Sequence, residues 1–263
     1  MKELTLEELK QIQLNILDNV HEFCQRNNIT YFLSYGTLLG AVRHKGYIPW
    51  DDDIDICMPR PDYMKFAKLY KDEKYSFHCP EKDTDFVYIY GKVSDDSTVI
   101  DEETYHPSHL GVNIDVFPID GLSNDINVAK RHYDYIARIN DFVNVKKIKF
   151  LKSRPLHRNI LLAIYKTVIC LVPFSFLIKK ITGIMKKYDY TNSKYVGELC
   201  FGNSRRVLKK ELFNEVVLAE FEKRLYYVPA GYDKWLRIVF GDYTQLPPEK
   251  DRVTHHAQKA YRK

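Results

Sequence analysis

The chain of 263 residues has only five cysteines, Cys24, Cys57, Cys79, Cys170 and Cys200, odd in number, widely spaced and without a CxxC pair. That pattern suggests neither a disulfide framework nor a zinc site, and a reduced chain inside the cell is the simplest account. The opening residues, with Lys2, Glu3 and Glu7, lack the apolar core of an export signal, so a cytoplasmic location is expected. Excess charge is small as well. A net charge of +5 favours an anionic substrate or surface but is too low to imply nucleic acid. No internal repeat or low-complexity linker divides the chain, and 45% hydrophobic with 29% charged residues is ordinary for a folded protein with one large core or two modest ones.

What is present centres on residues 36–56, GTLLGAVRHKGYIPWDDDIDI. Tyr31 to Tyr35 reads as a short buried strand, Gly36-Thr37 as a tight turn, and Leu38 to Val42 as the start of a helix. Free backbone N–H groups at such a helix start, with the Thr37 hydroxyl, form a natural phosphate seat. Arg43 or Lys45 either returns toward that phosphate or merely complements the helix dipole; the sequence does not separate these readings.

Asp51, Asp53 and Asp55 alternate with Asp52, Ile54 and Ile56, which predicts a strand with carboxylates on one face and isoleucines in the core. Parallel carboxylates repel unless a divalent cation or protonation relieves them. Oxygen-only ligands select magnesium or manganese. A calcium loop would need Gly and Glu where the chain has Ile56 and Asp62, so that reading fails. The interleaved isoleucines argue against a plain solvated acidic loop.

Thr5 and Glu8 form a capping-box pattern ahead of an amphipathic helix, and Pro61 opens a further helix. Phe86 to Val93 alternates like a strand, with Gly91 as a bulge and Lys92 at its edge, facing either a phosphate or solvent. Gly111 to Phe117 reads as another strand, where Asp115 lies between Ile114 and Val116. An acid so flanked is costly in a core unless it faces a site. Asp53, Asp55 and Asp115 are therefore the expected metal ligands and catalytic acids, with Asp115 nearest the acceptor and able to take its proton.

Gly36-Thr37-Leu38-Leu39-Gly40, Arg43-His44, Ile48-Pro49-Trp50-Asp51 and Asp53-Ile54-Asp55 resemble the signature of the LicD family, which includes bacterial phosphocholine transferases and is similar to the fukutin-related protein transferases. The resemblance extends weakly through Lys92 and Asn113-Ile114-Asp115, and returns at Phe240 to Tyr243, Pro247-Pro248 and Arg252 to His256. It implies an α/β nucleotidyltransferase-like fold, cleavage of CDP-choline or another CDP-alcohol, transfer of the phospho-substituent to a sugar hydroxyl of a cell-surface glycan such as teichoic acid, lipopolysaccharide or capsule, and release of CMP. Arg252 and His255 offer cationic and hydrogen-bonding groups to the donor, although the adjacent His255 and His256 equally suit a plain surface tail.

Acids are absent between Asp141 and Asp189, where an apolar run from Ile160 to Ile178 is preceded by lysines and arginines (Lys146, Lys147, Lys149, Lys152, Arg154, Arg158) and followed by lysines (Lys179, Lys180, Lys186, Lys187). Lys166 and Pro173 interrupt the run. Three readings stay open: a buried helical pair, an interfacial hairpin on anionic lipid, and a membrane span. A helix around Trp235 to Phe240 ends at Gly241. The resulting expectation is a catalytic core over residues 1–125 and a mainly helical portion over 126–263, containing the basic and apolar segment 142–188 and a C-terminal segment that closes the site. Rival functions are transfer of a nucleoside monophosphate with pyrophosphate release, and a non-catalytic membrane scaffold.

Overall fold

The computed structural model describes residues 1–102, 104, 106–148, 155–202, 206–252 and 259–263. After the short strand β1 (Lys2–Glu3), helix α1 spans Leu6–Asn27. The Thr5 hydroxyl accepts from the Glu8 N–H at 3.1 Å and the Glu8 carboxylate accepts from the Thr5 N–H at 2.9 Å, so the capping box is formed as expected. Asn28, left-handed at φ 50°, ends the helix. Its buried face, Leu9, Ile12, Ile16, Leu17 and Val20, joins the main core.

The expected strand over Tyr31 to Tyr35 is only β2 (Phe32–Leu33), and helix α2 begins earlier than anticipated, at Tyr35–Arg43. Tyr35 enters that helix at φ 46°, a conformation that a bulky residue adopts only when its surroundings hold it there. The acid row also differs from expectation. Strand β3 is Asp55–Pro59, so Asp51 to Asp53 lead into it as irregular chain. Ile54 and Ile56 are nonetheless buried while Asp53 and Asp55 are only half-buried, so the in–out alternation holds.

Helix α3 (Arg60–Leu69), opened by Pro61, is followed by β4 (Tyr75–His78), β5 (Gly91–Asp95), β6 (Thr98–Asp101) and β7 (Asn113–Gly121). Strand β5 starts five residues later than the alternation from Phe86 suggests. Extending its antiparallel register, Gly91 to Val116 and Lys92 to Asp115, would set Ile89 against Pro118, which has no N–H, and Tyr88 against Ile119. Ile119 is already paired with Glu198. Lys92 consequently lies in an interior strand between β4 and β7, not at an edge.

The second half comprises α4 (Ile126–Asn144), α5 (Leu156–Ile169), α6 (Phe174–Met185), β8 (Tyr195–Glu198), β9 (Leu208–Lys209), β10 (Val216–Phe221), β11 (Arg224–Pro229), α7 (Tyr232–Phe240) and β12 (Lys259–Arg262). Strand β7 is the spine of a mixed sheet ordered β2-β3-β7-β5-β4. It pairs in parallel with β3 on one edge, and its other edge is shared by β5 along the first residues and β8 along the last. Strands β1, β12 and β6 form a separate sheet, and β10 and β11 a hairpin. Glu222 and Lys223 at the hairpin tip both have positive φ, the geometry of a two-residue turn. Glu222 accepts from the Tyr47 N–H at 3.0 Å and so fastens the hairpin beside the segment leading to the acids.

All five cysteines are free, as the spacing implied. Among the described residues no helix is long and apolar enough to cross a membrane, which removes the spanning reading of 160–178 in favour of two short helices.

Candidate active site

The parallel register of β3 and β7 puts Asp55 directly opposite Asp115. The antiparallel register of β5 puts Lys92 opposite Asp115 from the other side. These two pairings bring three of the expected residues side by side across three adjacent strands. Asp53, two residues before Asp55, is half-buried like it.

Two cavities meet at Asp53. The larger, about 510 Å³, is lined by Tyr35, Gly36, Arg43, Trp50, Asp51, Asp53, Asp55 and Arg206 and by the C-terminal residues Phe240, Asp242, Tyr243, Gln245 and Pro247. The smaller, about 250 Å³, holds Asp52, Asp53, Tyr88, Tyr90, Lys92, Glu102, Asn113 and Asp115. A row of carboxylates thus separates a wide opening from a narrow one.

Burial pushes the proton affinity of the Asp55 carboxyl well above the usual carboxylate range, and the neighbouring charges of Asp53, Asp115 and Asp51 push it the same way. Lys92 opposes that shift and donates to Asp115 and, at 3.1 Å, to the Asn113 side-chain oxygen. The solvent-facing alternative for Lys92 is therefore overturned; its ammonium is buried and paired with the acid.

The donor chemistry here, carboxylate oxygens whose mutual repulsion a cation would relieve, fits a hard divalent ion such as Mg²⁺ or Mn²⁺. Among the described residues, no three acid, histidine or cysteine side chains already stand as a closed metal-binding group. Binding would have to draw Asp53, Asp55 and Asp115 together and loosen Asp115 from Lys92.

Gly36 lines the larger cavity in the first turn of α2, where backbone N–H groups lack intrahelical partners. A Cβ on Gly36 would come within 2.4 Å of the Asp51 carboxylate, so glycine is what allows helix and acid to approach. Thr37 is buried, and its hydroxyl accepts from the Asp55 N–H at 2.8 Å, tying α2 to the first residue of β3. Arg43 lines the cavity and donates to the carbonyls of Tyr243 at 2.8 Å and Gln245 at 3.2 Å, pinning the C-terminal segment over the site. The guanidinium of Arg252 lies over the Trp50 ring at 5.6 Å. His255 falls outside the described residues.

Several lining residues escaped the sequence reading. Arg206 sits 5.3 Å over the Tyr35 ring, and the Tyr35 hydroxyl donates to buried Glu198. Burial raises the proton affinity of Glu198, which Tyr35, Cys200 and Arg206 counteract. Nothing periodic marks these positions. Only the Tyr-Gly-Thr triplet at the head of α2 hinted that an aromatic would share the cradle.

Carboxylates on adjacent strands of a mixed sheet, beside a helix with glycine in its first turn, define an α/β protein whose acids and helix head open into adjoining cavities. Residues 28–155 match the family model described as LicD/FKTN/FKRP, nucleotidyltransferase domain. The chain is 35% identical over 272 residues to the lipopolysaccharide cholinephosphotransferase LicD of Haemophilus influenzae, a match covering 99% of each protein. It is also 32% identical over 130 residues to an uncharacterised protein of Rickettsia typhi, covering 45% of this chain and 41% of that one. The chain belongs to the LicD family.

Proposed function

We propose that this protein transfers phosphocholine, or a similar phospho-alcohol, from a CDP-linked donor to a sugar hydroxyl of a surface glycan of the lipopolysaccharide kind, with release of CMP. The observation that carries the reading is the placement of Asp55 opposite Asp115 where a wide and a narrow cavity meet. Support comes from full-length similarity to a protein named as a lipopolysaccharide cholinephosphotransferase.

The donor occupies the larger cavity. Its diphosphate faces the head of α2 at Gly36, with Arg206 supplying positive charge and Trp50 and Tyr243 providing flat surfaces at the rim. The acceptor hydroxyl enters from the smaller cavity, past Tyr88 and Tyr90, and meets Asp115. Its oxygen attacks the phosphorus that carries the alcohol; the bond from that phosphorus to the bridging oxygen breaks, and CMP departs with the bond's electrons. Asp115 takes the hydroxyl proton. Lys92, beside Asp115, stabilises negative charge on the transferring group. Asp53 and Asp55 would hold Mg²⁺ or Mn²⁺ together with Asp115, and the bound ion would supply charge neutralisation for the diphosphate. Arg43 keeps the C-terminal segment closed over the donor. A lipid-linked acceptor would hold the enzyme at the inner face of the cytoplasmic membrane.

The test is product analysis with CDP-choline, CDP-ethanolamine, CDP-ribitol and CDP-glycerol, each with lipopolysaccharide acceptor and Mg²⁺. CMP released with one donor and abolished by Asp55→Ala supports the reading. Pyrophosphate release from a nucleoside triphosphate would establish the rival chemistry, and no turnover with any donor would count against both.

A further inference from the structure

Helix α5 is unusual in what it leaves uncovered. Leu162 and Ile169 pack inward, but Leu156, Ile160 and Ile164, four residues apart along one face, are 75%, 54% and 57% exposed. Leu171, in the turn to α6, is 84% exposed, and Phe176 in the first turns of α6 is 57% exposed. Large apolar side chains gathered like this on a surface mark a contact site.

The hairpin is held in place at its connecting turn. The Lys146 ammonium donates to the carbonyls of Ile169, at 3.2 Å, and Val172, and Lys166 donates to the Lys146 carbonyl at 3.1 Å. The His106 ring meets Phe174 at 4.8 Å. The apolar face is thus presented by a braced element.

We propose that the α5–α6 hairpin docks on the surface of an anionic lipid bilayer. Three observations select this occupant. First, residues 142–188 contain no acid, while Lys179 and Lys180, three and four residues beyond Phe176 on α6 and so beside it, are exposed. Such a face attracts anionic headgroups and repels a second copy of itself. Second, α5 has 14 residues, about 21 Å at 1.5 Å per residue, too short to cross a hydrocarbon core of about 30 Å but suited to lying in the interface. Third, the segment after α4 that braces the hairpin's turn through Lys146 adjoins the narrow cavity. The Lys147 ammonium stands 4.2 Å over the Tyr88 ring, and Tyr88 lines the cavity that contains Asp115. Docking would open the acceptor side toward lipid, where a lipid-linked glycan is presented. The surface stands on its own exposure and charge and does not depend on the chemistry assigned to the acids.

The experiment is co-sedimentation of the full chain with vesicles of phosphatidylglycerol and phosphatidylcholine, compared with phosphatidylcholine alone. Two double variants of exposed residues are measured alongside: Ile160→Ser with Ile164→Ser, and Lys179→Glu with Lys180→Glu. Circular dichroism checks that each is folded. The wild type is expected to prefer the anionic vesicles at least tenfold, a preference that falls with salt, and each variant is expected to weaken binding by about tenfold or more. Equal binding to both vesicle types, or variants that bind like the wild type, would overturn the proposal. So would a wild-type dimer that the Ile160→Ser, Ile164→Ser variant converts to monomer without change in vesicle binding, since the face would then belong to a second copy. Binding is read without turnover, so failure of the phosphotransfer reading would leave this result intact.

Discussion

Asp55 and Asp115 face one another across the parallel β3–β7 ladder, and burial with the surrounding carboxylates raises the proton affinity of Asp55. A divalent cation must therefore displace a proton, so its affinity should increase with pH, by up to about tenfold per unit below the raised pKa. Calorimetry of Mg²⁺ or Mn²⁺ binding between pH 6 and 8, in buffers of different ionisation enthalpy, should show proton release that Asp55→Asn removes. Binding independent of pH would contradict the assigned ligand.

The same carboxyl carries a stability prediction of definite sign. Its folded pKa lies above the unfolded value, so the folded state binds more protons in the interval between them, and the metal-free protein loses stability as pH rises through it. Asp55→Asn should consequently raise the melting temperature of the metal-free protein at pH 8 and change it less at pH 5. Transfer activity should fall at least about a hundredfold in that variant. A lower melting temperature at pH 8 would show that the Asp55 charge is compensated within the fold.

Lys92 neutralises Asp115 in the metal-free protein and flanks the proposed line of attack. Lys92→Met should therefore have opposite effects on two measurements. Divalent-ion affinity should rise several-fold because Asp115 is released, while kcat should fall about tenfold or more with the loss of a charge-assisted contact. A fall in both would indicate that the ammonium mainly positions Asp115.

How far the sequence revealed this site depends on how local each determinant is. The Thr5–Glu8 cap and the alternation of Asp53 and Asp55 with isoleucines concern neighbours a few residues apart, and both appear in the structure. Asp115 was legible because an acid between two β-branched residues demands an explanation. The late start of β5 depends on Glu198, a residue more than a hundred positions from Gly91, occupying the edge of β7 at Ile119. Arg206 and Tyr35 meet through a comparably distant contact. The left-handed Tyr35 has no compositional mark, and it shifted the start of α2 from Leu38 to Tyr35.

Stability of the sheet should depend on a buried ion pair beside the site. Arg60, at the head of α3, grips Asp120 of β7 through two hydrogen bonds of 2.6 and 2.7 Å, both side chains lying out of water. Asp120→Ala leaves that guanidinium with Glu81 at 3.2 Å as its remaining acid contact and should cost about 3–5 kcal/mol. Urea unfolding measures this directly. A loss under about 1 kcal/mol would mean that solvent reaches the pair.

Gly36 gives the sharpest separation of stability from activity. Alanine there would place its Cβ 2.4 Å from the Asp51 carboxylate oxygen, forcing that side chain to move within the larger cavity. Helix α2 itself accepts alanine, whose helical propensity exceeds that of glycine by about 1 kcal/mol, so the fold should survive. Gly36→Ala is expected to unfold at a denaturant concentration close to that of the wild type while losing about tenfold or more in kcat/KM, because small displacements of positioned groups are costly to catalysis. Adding Asp51→Ser shortens the obstructing side chain and should recover part of the loss. If the double variant is no better than Gly36→Ala, the methyl group acts on the bound donor itself, and the head of α2 contacts phosphate more closely than Asp51 does.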